Sequence, residues 1–240
     1  MSASAQARVF DLYNQRMGTY IKGTAANSYA GQDAFGDSSG KSTTFTDKIK
    51  YNYGGEVGLL FPGAYYGWRI GFEILSAQKM KGIEGDSEVG ASLMNLDSTV
   101  YGFFPKIAFE YYLIKKPGSR MTLSFGGGYG KIKATNDYTM TTAGTTRYTL
   151  SSFTQQMSQL TYTADFSVGY EFMMLQNTSL TLDVGYKYAI ASQLKYDQDI
   201  TDFTGTHKSG DIVTESDGSN KKINLGGPYA GLTFRIYFNY

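Results

Sequence analysis

Three features of the sequence predict an all-β chain whose eight antiparallel strands run up and down around a barrel. The first is strict two-residue periodicity, because successive side chains of a strand point to opposite faces. It is plainest in the last stretch, where Ala230, Leu232, Phe234, Ile236, Phe238 and Tyr240 alternate with Gly231, Thr233, Arg235, Tyr237 and Asn239. The second is composition: 29 Gly, 21 Tyr and 15 Phe against only 4 Pro favour sheet over helix. The third is that the connections between the periodic stretches alternate between long and short.

The chain opens with a lead-in, residues 1–16, before a single barrel domain over residues 17–240. Within the lead-in, Val9, Phe10 and Tyr13, with Met17 after them, stand at roughly helical spacing, in a run too short for a stable helix. Met1 to Ala7 has no apolar signal-peptide core, so the chain reads as a mature form with an added start Met. The first strand runs from Met17 to about Tyr29, with Met17, Ile21 and Ala25 on one face and Tyr20, Lys22 and Thr24 on the other. Gly31 to Thr44 is polar and Gly- and Ser-rich, a long loop.

The second strand, Lys48 to Phe61, alternates Ile49, Tyr51, Tyr53, Val57 and Leu59 with Lys48, Lys50, Asn52, Glu56 and Gly58. After the Pro62-Gly63 turn, Trp68, Ile70, Phe72 and Ile74 oppose Gly67, Arg69, Gly71 and Glu73 in the third. Lys79 to Asp97 is a polar loop. The fourth strand sets Tyr101, Phe103, Pro105, Ile107, Phe109, Tyr111 and Leu113 against Gly102, Lys106, Ala108 and Glu110, although Pro105 removes one ladder donor. A turn at Lys115 to Ser119 leads to the fifth, where Met121, Leu123, Phe125 and Tyr129 oppose Thr122, Ser124, Gly126 and Gly128. Its Gly126-Gly127-Gly128 run lies inside a strand with no helix after it, so it serves bending or close packing and not phosphate binding.

Asn136 to Met157 is a third long loop. The sixth strand places Leu160, Tyr162, Ala164, Phe166 and Val168 against Thr163, Asp165, Ser167 and Glu171, and the Gln176-Asn177-Thr178 turn follows. The seventh sets Leu180, Leu182, Val184, Tyr186 and Tyr188 against Thr181, Asp183 and Lys187. Asp197 to Lys222, the longest loop, holds the sole histidine, His207.

Long connections at one end and short turns at the other are what a membrane barrel requires, with its extended outer loops and brief periplasmic turns. The apolar face, carrying Val57, Trp68, Phe72, Phe109, Phe125, Phe166, Val184, Phe234 and Phe238, then meets lipid. Aromatics such as Phe61, Tyr111, Tyr188, Phe238 and Tyr240 edge that face at the water boundary. A mean hydropathy of −0.31 is compatible, since only alternate strand residues need be apolar.

The opposite face would fill a lumen just wide enough for side chains. Counted from the nearest short turn, Glu56, Arg69, Glu110, Glu171, Asp183 and Arg235 fall at one level, and Glu73, Lys106, Asp165 and Lys187 at a second. Both signs occur at each level, so these residues are expected to pair and plug the lumen. Arg16 and Lys22 would balance the excess acid.

This layout, with its aromatic end Phe234 to Tyr240, resembles the small eight-stranded outer-membrane barrels, the family of OmpA transmembrane domains and OmpX. The resemblance runs from about Met17 to Tyr240 and implies an eight-stranded antiparallel up-and-down transmembrane β-barrel with short periplasmic turns and four long outer loops. It further implies export to the bacterial outer membrane, contact with its lipid and lipopolysaccharide, assembly by the barrel-assembly machinery through the C-terminal strand, a monomer, and no cofactor.

Net charge is +1 without a basic stripe, which excludes electrostatic nucleic-acid binding. Cysteine is absent, so no thiolate metal site or cysteine nucleophile exists. His207 beside Ser209 is the one candidate base for a lipid-modifying enzyme, yet it has no visible orienting partner, and no catalytic residue is assigned. Asp197, Asp199, Asp202 and Asp211 lack calcium-loop spacing, so no metal site is assigned either. A structural and surface-interaction barrel is the leading expectation, with a narrow channel or a conduit for small or apolar molecules as the alternative.

Overall fold

A computed structural model describes Leu12 and residues 15–27, 43–45, 51–86, 91–215 and 218–238. The two-residue periodicity becomes eight long strands: β1 Met17–Asn27, β2 Tyr51–Pro62, β3 Tyr66–Ala77, β4 Ala91–Lys116, β5 Ser119–Met140, β6 Phe153–Leu175, β7 Thr178–Ala191 and β8 Gly227–Phe238. Each pairs antiparallel with the next. Pairing of β8 with β1, from Met17 opposite Phe238 to Ala26 opposite Tyr229, closes the ring. Closure removes every free sheet edge from the wall, as a strand structure surrounded by lipid must do.

Alternation sorts the side chains between two environments. On β1, Ile21 is 65% exposed while its neighbour Tyr20 is 1% exposed. Along β3 the pattern is unbroken, from exposed Tyr66 to buried Ala77. The exposed set is the apolar one, the reverse of a water-soluble sandwich. Near the short turns it includes Phe61, Tyr65, Trp68, Tyr111 and Phe238, and toward the long loops Tyr53, Tyr101, Tyr129, Tyr162 and Tyr188. Aliphatic side chains such as Val57, Ile107, Leu182 and Val184 lie between the two aromatic zones. That is the profile of a lipid-facing band between two interfaces.

Two of the segments read as loops are strand instead. Lys79 to Asp97 contains the strand Met80–Asp86 and the start of β4, and Asn136 to Met157 contains the end of β5, a helix and the start of β6. β4, β5 and β6 therefore rise well beyond the apolar band as a tall wall, on which Met80–Asp86 pairs with β4 and Thr43–Phe45 pairs with Met80–Asp86. The wall escaped the pattern because above the band polar residues occupy both faces: Asp97 and Asp137 point outward, Ser98 and Asn136 inward. The rest of Gly31 to Thr44, the first residues of the second strand, Lys48 to Lys50, most of the lead-in, and Asn239 and Tyr240 lie outside the described residues.

At the tip of the wall sits the helix Thr142–Tyr148, whose N-cap Thr141 accepts a hydrogen bond from the Gly144 N–H. The long segment after β7 folds back over the mouth. Lys195–Tyr196 pairs with β6, Ile200–Asp202 pairs with Gly205–His207 as a small hairpin, and Ile223–Asn224 returns to β7. Leu194, Val213 and Leu225 from this segment meet Val100, Phe104 and Ile132 of the wall in an apolar core inside the upper barrel. At the other end Leu12 packs beneath Tyr20, Leu60 and Tyr237, and its N–H donates to the Pro117 carbonyl at 2.9 Å.

Candidate functional site

The barrel interior between these apolar ends is built from charged residues of all eight strands. Lys22 comes from β1, Glu56 from β2, Arg69 and Glu73 from β3, Lys106 and Glu110 from β4, Arg120 from β5, Asp165 and Glu171 from β6, Asp183 and Lys187 from β7, and Arg235 from β8. Each is buried. Charges taken out of water are tolerated only when they meet partners of opposite sign.

The partners form one chain of alternating sign down the interior. Lys187 bonds Glu73, and Lys106 Nζ reaches Glu73 at 3.5 Å, Glu56 at 3.1 Å and Asp165 at 2.8 Å. Arg69 links Glu56, at 3.2 Å, to Glu110, at 2.9 Å. Arg235 links Glu110, at 2.6 Å, to Glu171, at 3.1 Å, and Arg120 completes the run on Glu171. Lys22 and Asp183 stand beside the chain as a separate pair at 2.6 Å.

Two features of this network differ from the sequence reading. The levels inferred from turn distances are not separate, because Glu56 of the lower set bonds Lys106 of the upper. Strands tilted around a barrel shift equal residue counts to unequal heights. The balancing bases are Lys22 and Arg120, not Lys22 and Arg16, which is exposed. Arg120 falls one residue outside the strand as read from the turn, yet it shares the parity of Thr122 and Ser124 and was detectable on that ground. With it, six acids face six bases in this network among the described residues.

Local sequence explains how these groups fit. Glu56 and Glu73 stand directly opposite each other on β2 and β3, a like-charged pair that would repel without Lys106 between them. A Cβ on Gly126 would lie 2.3 Å from Asp165 Oδ2 and 2.8 Å from Lys106 Cε, so glycine there makes room for that ion pair. Inward tyrosines cushion the cations: Arg120 lies 4.3 Å from the Tyr112 ring centre, Arg69 5.2 Å from Tyr20, and Lys22 4.9 Å from Tyr229. Tyr237 donates to Glu171 and accepts from Arg120 at 2.7 Å. The sequence reading set Tyr20 and Tyr237 on the polar face, but it assigned neither a role and missed Tyr112 and Tyr229.

On the outer face, Val57, Trp68, Phe72, Phe125, Phe166, Val184, Phe234 and Phe238 are exposed. Phe109 is half-buried between the rings of Tyr66 and Trp68.

His207 is not the partnerless loop residue the sequence suggested. Its ring stacks on Tyr196 at 4.7 Å, with Nε2 3.4 Å from Asp202 and 2.7 Å from Thr204 Oγ1. Asp202 Oδ2 also accepts from Tyr196 at 2.9 Å and from Gln155 of β6 at 3.1 Å. Burial raises the carboxyl pKa of Asp202, but hydrogen bonds from Thr204 and Tyr196 and the nearby His207 outweigh it and hold the group below the usual range. Burial and the Asp202 charge push the Tyr196 phenol up. Ser209 turns away, donating from Oγ to the Asp197 carbonyl. Asp197, Asp199 and Asp211 are each engaged by Ser158, the Ser209 N–H and the Lys208 N–H respectively. No cluster of three metal-ligating side chains occurs among the described residues.

A closed ring of eight strands, greasy outside and charged within, defines the fold of the small outer-membrane β-barrels. No protein-family model and no curated relative matches the sequence. Among solved structures, the chain is similar to a major outer membrane protein from Thermus thermophilus, at 14% identity over 92% of this chain and 99% of that one, with a TM-score of 0.53. It also aligns with the outer membrane protein OprG from Pseudomonas aeruginosa, at 11% identity over 95% and 99% with a TM-score of 0.45. Neisserial surface protein A aligns at 9% identity over 92% and 97% with a TM-score of 0.42. At such identities the Thermus likeness speaks for the fold alone.

Proposed function

We propose that the chain is a bacterial outer-membrane barrel with a structural and surface-interaction role, its interior sealed and its folded outer segments serving as a contact surface. The observation that carries this reading is the unbroken run of ion pairs from Lys187 to Arg120, with apolar side chains packed at both of its ends. An interior eight strands wide is about filled by side chains, and charges already paired there have no need of a water column. The tall wall and the hairpin bound to it offer a preformed surface, which suits contact with lipopolysaccharide, another cell or a phage.

Assembly through the C-terminal strand and a monomeric state belong to the same proposal. A catalytic role for His207 has less support, because Ser209, the nearby hydroxyl a hydrolase would need, hydrogen-bonds elsewhere.

Single-channel recording in planar bilayers tests the reading. The sealed barrel is expected to give no steady conductance of open-porin size; a large, persistent current would replace it with the channel alternative.

A further inference from the structure

The outer face of the barrel is notched beside Gly127 of β5. Register places Phe109, Phe125 and Phe166 in one outward row, and Ile107, Gly127 and Ala164 in the next. Above that row Tyr129 stands opposite Tyr162. The Phe125 and Phe166 rings are 5.0 Å apart and the Tyr129 and Tyr162 rings 4.7 Å apart. Between these two aromatic pairs, Gly127 and Ala164 contribute almost no side chain. From Gly127 a groove of about 540 Å³ runs the other way, across β4 and β3 to β2, with apolar walls, among them Leu59, Phe72, Pro105, Ile107 and Tyr129, over glycine backbone at Gly58, Gly71 and Gly127. A Cβ on Gly127 would meet nothing nearer than the Thr163 carbonyl at 3.8 Å, so packing within the wall does not demand the gap.

Above the groove the same outward face of β5 carries Lys131 and Lys133. Their Nζ atoms lie 3.6 and 3.7 Å from the Asp197 carboxylate, so among the described residues two ammonium groups share one carboxylate and one positive charge is left over. Lys131 is half exposed, just beyond the aromatic zone where lipid headgroups begin. At roughly 3.3 Å per residue it stands about 13 Å above Gly127, a spacing that suits a phosphate above the middle of its own acyl chain.

We infer that this face is a binding site for an anionic, phosphate-bearing lipid of the leaflet on the long-loop side. One acyl chain lies in the notch at Gly127, and the phosphate rests on Lys131 and Lys133. The inference rests on the membrane-embedded reading and deepens it by naming a lipid class and a place on the wall.

Native mass spectrometry of the detergent-folded barrel, offered phosphatidylglycerol and phosphatidylcholine with identical chains, tests it. The wild-type protein is expected to retain phosphatidylglycerol about five-fold over phosphatidylcholine, the effect of one uncompensated lysine at an anionic surface. Gly127→Leu, which fills the notch, loses retention of both lipids. Lys131→Gln, which leaves Lys133 balanced by Asp197, retains both equally. Heat-modifiable migration on a gel checks that each variant is folded, and Ile107→Trp, at an outward residue of the groove wall, crowds the same groove should Gly127→Leu fold poorly. Equal retention by the wild type, or wild-type behaviour of either kind of variant, overturns the site. That failure is separate from failure of the membrane reading, which would appear as refolding without detergent.

Discussion

Asp183 and Glu110 occupy the same interior but do not depend on their partners equally. Glu110 is ion-paired with both Arg69 and Arg235, while Asp183 pairs with Lys22 alone among the described residues. Lys22→Ala therefore leaves a buried carboxylate without a cation and is expected to cost roughly 3–5 kcal/mol. Arg235→Ala is expected to cost less, because Glu110 keeps Arg69 and Glu171 keeps Arg120. Urea midpoints measured in one detergent would order the two variants, and a reversed order would show that the side pair is dispensable. Parity in the sequence was enough to aim Glu56, Lys106 and Arg235 inward. It carried no information on partner choice, which follows from strand tilt and from which opposing position is glycine.

At the scale of elements, the hairpin from Ile200 to His207 is held to the wall by two contacts of different kinds. Phe203 meets Tyr138, Tyr148 and Phe153 with ring centres 5.1 to 5.4 Å apart, and Asp202 takes the hydrogen bond from Gln155. Phe203→Ala should raise hydrogen exchange across residues 195–215 and leave the barrel strands protected. Asp202 sets the pH response. Its carboxyl is held below the ordinary value, so its contribution is complete above about pH 4 and is lost as pH falls through the depressed value. The hairpin should stay latched at pH 5 and loosen only in stronger acid, and Asp202→Asn should abolish that pH dependence of exchange. None of this was legible beforehand. Short paired segments such as Gly205–His207 have no period to read, and the helix Thr142–Tyr148 is too brief and too rich in threonine to announce itself.

For the whole molecule, the apolar band fixes the solvent. Refolding from urea is expected to need detergent or bilayer, and a monodisperse species formed in plain buffer would contradict the outward orientation of Val57 and Val184. Arg at either position should cost about 2–4 kcal/mol, the depth-dependent cost of charge in the hydrocarbon. Arg at Thr139, exposed on β5 above the band, should cost almost nothing. Within the band, alternation made nearly every strand readable, because lipid and lumen impose opposite demands on neighbouring residues. Above it water and polar contacts reach both faces, and the signal fades at Asp97 and Asn136.

The ion pairs also bear on how the wall comes together. Lys22 and Asp183 are 161 residues apart, and Arg235 and Glu110 are 125 apart. Neighbouring strands neutralise part of the set as they pair, Arg69 with Glu56 and Glu110 and Arg120 with Glu171, but Lys22 with Asp183, Lys187 with Glu73 and Arg235 with Glu110 join strands that meet only across the rolled interior. Neutralisation is therefore completed only with the final zipping of Met17–Ala26 against Tyr229–Phe238. Partly rolled sheets should be scarce, and the passage from open to shut should be nearly all-or-none.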